Sequence, residues 1–378
     1  MRVFGVKFGD RVKRIDLILF LASAFLSLVS ILTIFGSVEN FGRIKLIMQI
    51  AMTAVGVIGA FILANIDYRF FVDRFWIFML LGSVLLLAVT LLFGISGTNM
   101  ETENTSWIVI PGIGIAIQPS EFVKIAFICT FSRHIDMVKD KINKPLTLLG
   151  LFLHAGLIVG LILISGDLGV ALVYVGVILM MLFCAGLLGW YFLGIFGVSA
   201  VSFPFLWSLL KPYQQNRIIY GFQPELDPAG VGMQPLMSRE VISRGGFFGR
   251  GLFEGGMYEE LPASHTDFIF ATVCEKFGFL GGALVVVALV VIAARLFYLG
   301  YACRDTVGRL ICCGCAAVVV VQTLENLWMC IGLVPVVGIT LPFMSAGGSS
   351  VLAMYLLMGL AHSVSAHEKK FYFGREIL

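Results

Sequence analysis

Along this chain, long apolar runs alternate with short polar stretches. Ten runs can be marked, at 16–36, 44–65, 75–96, 118–135, 146–165, 167–187, 188–210, 268–294, 310–333 and 343–364. Each is about the 20 residues that an α-helix needs to cross the hydrocarbon of a bilayer. The pattern predicts an all-α polytopic membrane protein of ten transmembrane helices, one membrane domain over 1–378, with cytoplasmic ends at 1–15 and 365–378 and a large outer loop at 211–266. No small-residue cleavage site follows the first run, so that run is expected to stay as a span rather than be removed as a signal peptide.

Two polar intervals are unlike connectors. The stretch 97–117 ends in a short apolar piece broken by Pro111, Gly112 and Gly114, suited to dipping into the interface. The stretch 211–266 has nine glycines and five prolines in 56 residues, far beyond the usual connection length. Its apolar side chains, Phe222, Phe247, Phe248, Phe253 and Tyr258 among them, argue for a structured cap. No internal repeat is evident, which speaks against alternating access between related halves.

Composition strengthens the membrane reading. Hydrophobic side chains make up 59% of the 378 residues and charged ones 13%, with a mean hydropathy of +0.98, against roughly a quarter charged in a soluble domain. This excludes nucleic-acid binders, secreted disulfide scaffolds and cytosolic enzymes. The eight cysteines fall mostly in apolar runs, where cysteine is a small hydrophobe. Seventeen of the 26 basic residues lie in intervals on one side, from Arg2 to Arg14, Arg69 and Arg74, Arg133 to Lys144, Arg295 to Arg309, and Lys369 to Arg375. The short loops of the other side hold only Arg43 and Lys45. The positive-inside rule then puts both termini in the cytoplasm.

Ionisable groups at the edges of spans cost about 2.5–3.5 kcal/mol each on insertion scales, so each needs a reason. Glu121 and Lys124, three apart after Pro119, share a helical face and can neutralise each other, as a structural pair or as part of a site. Asp167, in Ser165-Gly166-Asp167-Leu168-Gly169, reads first as a turn or cap residue. Asp267 follows Thr266, a suitable N-cap, at the start of an apolar helix. In the first turn the helix dipole would hold it ionised. It is either an ordinary first-turn acid or a general base facing a lipid-lined cavity. The glycine-rich run 244–251 with Arg244 either makes turns or brings N–H groups to a phosphate. Among the histidines only His265, beside Asp267, is placed to matter, and no metal spacing occurs.

Several of these segments together resemble the SEDS family (shape, elongation, division and sporulation) of RodA- and FtsW-like proteins. The resemblance is carried by QPSEFVK at 118–124, DLG at 167–169, DPAGVGMQPLMS at 227–238, GGFFGRG at 245–251, LPASHTDFIFA at 261–271 and GLVPVVGITLPFMSAGGSS at 332–350. It implies a peptidoglycan glycosyltransferase that polymerises lipid II, a disaccharide-pentapeptide on undecaprenyl diphosphate, at the outer face of the cytoplasmic membrane. Asp267 then matches the family's essential acid and takes the acceptor's proton. Glu121 and Lys124 match the polar pair of the same cavity, with Ser120, His265, Arg217 and Arg244 as further substrate-binding candidates. Lys124, Arg217, Arg244 or a divalent cation would meet the departing diphosphate. With no metal cage in the sequence, magnesium or manganese would be held by the diphosphate itself. Direct displacement would invert the anomeric centre.

The sequence departs from the family pattern at Ala263, where an acid usually follows Leu-Pro, at Ser165-Gly166, at Ser106, at Ala346, and at Lys276, which replaces a second acid after Glu275. An active enzyme of a divergent branch is expected, and the short tails lean the expectation towards elongation. Rival readings are a lipid II flippase and a non-catalytic scaffold for a partner synthase. The resemblance also implies a class B penicillin-binding protein as partner. Its single anchor is expected on the eighth and ninth spans, at 281–292 and 311–321, whose small residues allow close approach. Those residues serve equally to pack the two spans on each other.

Overall fold

A computed structural model describes residues 15–95, 105–109, 116–209 and 212–367, together with two-residue strand pairs nearer the two ends. Of the expected dipping segment 97–117, residues 97–104 and 110–115 lie outside the described residues. Ile108–Val109 pairs antiparallel with Ala116–Ile117.

Ten long helices coincide with the ten apolar runs. They are α1 (Leu17–Phe35), α3 (Arg43–Ala64), α4 (Tyr68–Phe93), α5 (Pro119–Val138), α6 (Pro145–Ile164), α7 (Leu168–Cys184), α8 (Gly189–Leu209), α11 (Ile269–Ala302), α12 (Thr306–Cys330) and α13 (Gly348–His367). Three shorter helices, α2 (Val38–Phe41), α9 (Pro212–Phe222) and α10 (Met233–Arg244), lie between them. Aspartates start four of the long ones. The carboxylates of Asp16, Asp67, Asp167 and Asp305 accept from Leu19, Arg69, Val170 and Gly308 N–H groups, satisfying orphan donors where the chain re-enters an apolar environment. Pro119 and Pro145 occupy first turns, where no N–H is needed. Seven of the ten are long and apolar enough on their own to cross a membrane. Of the others, α5 carries Glu121, Lys124, Arg133 and Asp136, and α7 has 17 residues.

Helix ends gather on two faces. On one, Asp16 before α1 meets Arg295 of α11 and His362 of α13, while Tyr68 donates to Asp305. On the other lie the segment 212–268 and the connection from α12 to α13. This is called the loop face below, and the first the basic face.

The structure corrects three expectations. The eighth span is not one continuous helix. Gly278 has φ +68° and ψ −168°, which breaks α11 two turns from its start. An unbroken 34-residue helix would rise about 51 Å, well beyond a bilayer core. The break is sealed by the glycine run. Arg250 and Gly251 N–H donate to the Glu275 and Lys276 carbonyls, and Phe279 and Leu280 N–H donate to the Gly246 and Phe247 carbonyls. The Arg250 and Gly251 N–H groups are therefore spent on α11 and are not available to cradle a phosphate. Finally, α12 is enclosed over most of 311–321, with only Val320 and Val321 partly exposed. Ala317 is 0% exposed and the run from Leu310 to Val319 is buried, because α5, α7, α11 and α13 surround it. On α11, by contrast, Leu284, Val287 and Val290 are exposed.

Candidate active site

Four segments converge on the loop face. The first is the N-terminal turn of α5. Gln118 precedes it, and its side-chain amide donates to Asp167 Oδ2 at 2.8 Å. One turn in, Lys124 Nζ lies 2.9 Å from Glu121 Oε1, with the two side chains 1% and 3% exposed. At that burial the pair must compensate itself, since an unpaired charge would cost several kcal/mol. Glu121 Oε2 and Ser120 Oγ are buried without a partner in the structure, while the Ser120 carbonyl accepts from Tyr174 at 2.8 Å.

The second segment is the turn into α7. Asp167 caps that helix through Val170 N–H at 3.1 Å. Burial holds its carboxyl above the usual range, against the hydrogen bonds from Val170 and Gln118, and nearby Glu121 adds to the rise. The cap reading of Asp167 therefore holds, and the same carboxylate also joins the charged group around Lys124.

The third is the turn 261–268. The helix after it starts at Ile269 with Phe268 as its N-cap, so Thr266 is not the cap and Asp267 stands before the first turn. Three consecutive carbonyls of this turn are held from outside. His265 accepts from Ala346 N–H at 2.9 Å, Thr266 from Ser345 Oγ at 2.7 Å, and Asp267 from Asn326 Nδ2 at 2.7 Å. Ala263 has φ +55°, a strained conformation for a residue with a Cβ and one that clusters at functional sites. A Cβ on Gly338 would stand 3.6 Å from Asp267 Oδ2, so this carboxylate faces the connection from α12 to α13. Burial raises the Asp267 carboxyl to about 6, with the Thr266 hydrogen bond opposing and Asp167 adding repulsion. The sequence argument of a helix dipole holding it ionised is thus replaced by one of confinement. Asp267 keeps some accessible surface while crowded by protein.

The fourth is α3. The Lys45 ammonium donates to His265 Nε2 at 2.7 Å, and the His265 ring packs on Phe41 at 5.2 Å. Burial, with Lys45 adding, pushes the imidazole down to about 4, so it is neutral and able to accept. Lys45 escaped the sequence reading except as an outer basic residue, because its partner is 220 positions away. Glu325 of α12 also joins the site through its electrostatic interactions with Lys124 and Asp167. Its neighbour Asn326 bridges the Asp267 and Ile339 carbonyls. Their signal in the sequence is a Glu-Asn pair inside an otherwise apolar span, where each polar group needs a partner.

Of two further expected substrate contacts, only Arg244 can be located. Arg244 pairs with Glu240 at 2.6 Å on the exposed side of α10, a turn-to-turn contact that holds its guanidinium to its own helix. The Arg217 side chain lies outside the described residues. Among the described residues no group of three or more His, Cys, Asp or Glu side chains is close enough to hold a metal ion. Chemically, then, the site offers one acid whose carboxyl is raised by burial, a buried compensated ammonium, and further carboxylates that keep the region polar.

Comparison with known proteins gives this geometry its context. The chain matches the FTSW_RODA_SPOVE family of cell cycle proteins over residues 13–370. It is 33% identical over 375 residues, 94% of either chain, to the "Probable peptidoglycan glycosyltransferase FtsW" of Trichlorobacter lovleyi. It is 34% identical over 331 residues to the stage V sporulation protein E of Bacillus subtilis, covering 85% of this chain and 87% of that one. Among solved structures, a chain from a peptidoglycan synthase complex that coordinates polymerisation and crosslinking superposes with a TM-score of 0.82 at 27% identity, covering 94% of this chain and 99% of that one. The rod shape determining protein RodA of Thermus thermophilus shares the fold, with a TM-score of 0.70 at 23% identity over 94% of this chain and 98% of that one. With its helical bundle in that fold and nearly its full length matched, the chain belongs to the FtsW/RodA/SpoVE family of multi-pass membrane proteins.

Proposed function

We propose that this protein is a peptidoglycan glycosyltransferase that polymerises lipid II at the outer face of the cytoplasmic membrane, with the loop face outward and the basic face cytoplasmic. The observation that carries the proposal is the placement of Asp267 in the turn before α11, whose carbonyls at 265–267 are held from outside so that its carboxylate faces the connection from α12 to α13, with burial raising it to about 6. A base poised near the working pH is most effective. The donor's polyprenyl chain lies in lipid and its sugars in water, so the reaction belongs at this boundary. The acceptor's 4-hydroxyl gives its proton to Asp267 as its oxygen forms a bond to the donor's anomeric carbon. The bond from that carbon to the diphosphate breaks, and the electron pair leaves with the diphosphate. One displacement inverts the centre. Lys124, kept in place by Glu121, and Lys45, held by His265, are the cations that support the developing charge. A magnesium or manganese ion would ride on the diphosphate and supply further charge neutralisation.

The relatives' names support this reading, as does the likeness to a chain of a peptidoglycan synthase complex. The same likeness supports a class B penicillin-binding protein as partner, docked on the exposed ridge of α11. Incubation of the purified protein with lipid II tests the function. Glycan polymer is expected on a gel. Translocation of lipid II in proteoliposomes without polymer would favour a flippase, and neither outcome would leave a scaffold.

A further inference from the structure

Lys276 sits on α11 two residues before the break at Gly278 and is 2% exposed. Its ammonium donates to the carbonyls of Leu252 at 2.8 Å, Gly36 at 3.2 Å and Glu254 at 3.4 Å, and lies 4.4 Å from the centre of the Tyr258 ring. None of these four partners carries a formal charge. A buried ammonium satisfied by dipoles and a ring face is costly to place, so the segments that supply the dipoles must be held against it. They come from two separate stretches of chain, the end of α1 and the strap 249–260.

The neighbouring side chain has the opposite charge and grips the same strap by its donors. Glu275 accepts from Met257 N–H at 3.0 Å and Tyr258 N–H at 2.9 Å, with Arg250 at 3.8 Å. Lys276 therefore holds carbonyls and Glu275 holds amides, while the carbonyls of both take Arg250 and Gly251 N–H. The two stretches that Lys276 fixes meet again nearer the turn that carries Asp267. Gly36 leads into α2, whose Phe41 packs edge-on to Tyr258 of the strap at 5.9 Å and against His265 at 5.2 Å. His265 is two residues from Asp267 and belongs to the same turn.

The geometry points to Lys276 as a positioning residue for Asp267, acting through the strap, Tyr258 and Phe41 to set the turn 261–268. This rests on the proposed role of Asp267, and it gives a physical role to the residue that replaces an acid of the family pattern.

The test uses the full-length protein with two readouts. Trypsin cleaves after Arg250, at the start of the strap, and the fragment beginning at Gly251 is quantified by mass spectrometry. Lipid II polymerisation gives kcat and KM. Lys276→Met is expected to raise cleavage after Arg250 at least tenfold. It should lower kcat at least tenfold with KM within threefold of wild type, and Lys276→Arg should stay within threefold in all three values. Wild-type cleavage in Lys276→Met would overturn the clasp. A loosened strap with unchanged kcat would overturn the positioning role, as would an equal loss in Lys276→Arg. Should Lys276→Met give no dispersed protein, Lys276→Gln decides by the same readouts. If the wild type makes no polymer, the proposed function falls and the positioning role with it, whereas the clasp stands or falls on cleavage alone.

Discussion

Asp267 owes its chemistry to where it lies rather than to a helix dipole. An acid whose carboxyl rises from 3.8 to about 6 on folding binds more protons folded than unfolded between those values. Its ionisation therefore opposes folding, and stability from this group is present below the unfolded value and lost as pH rises through about 6. Two outcomes follow at this scale. Below about pH 6, kcat/KM should fall tenfold per pH unit as the base is protonated; a flat profile down to pH 5 would contradict its role. Asp267→Asn should fold at least as well as wild type at pH 7, by about 1–2 kcal/mol after discounting for its remaining exposure, which a rise in melting temperature would reveal. The pair on α5 behaves oppositely. Lys124→Ala leaves Glu121 buried and unpaired, a loss of about 3–5 kcal/mol. A double-mutant cycle with Glu121→Gln should return a coupling above about 0.5 kcal/mol. Additive losses would mean that the 2.9 Å contact contributes nothing.

At the scale of elements, the break in α11 decides how the cap is attached. Gly278 has positive φ, and an added Cβ would clash with Gly249 N and the Phe247 carbonyl oxygen. Gly278→Ala is therefore expected to cost about 3 kcal/mol or more and to free the strap. Wild-type thermal stability of that variant would contradict the stitched arrangement. The sequence made the helices legible because length and apolarity alone define a span. It made the Glu121–Lys124 pair legible because a three-residue spacing fixes one face. It concealed the break, since hydropathy does not report the sign of φ, and it misplaced the start of α11 by two residues because Thr266 has a side chain fit to cap. It also could not show that Lys45 meets His265, or that Lys276 meets Gly36, since both contacts join segments more than 200 residues apart.

The whole molecule joins a membrane bundle to a cap, with the site at their seam. Small residues suit a docking surface and a helix–helix seam alike, and on α12 the run 311–321 serves the seam, largely enclosed by other helices. The ridge of α11 remains, with Val287 56% exposed. Val287→Trp should lower co-purification of a class B penicillin-binding protein while the bundle still inserts, and unchanged co-purification would move the docking surface elsewhere. The central claim is that this bundle polymerises lipid II with Asp267 as its base. It is tested most directly by incubating purified wild type and Asp267→Asn side by side with lipid II and resolving the products on a gel. Polymer from the wild type, and none from an Asp267→Asn protein of equal or higher melting temperature, is the expected result. Polymer of comparable yield from both would contradict the account.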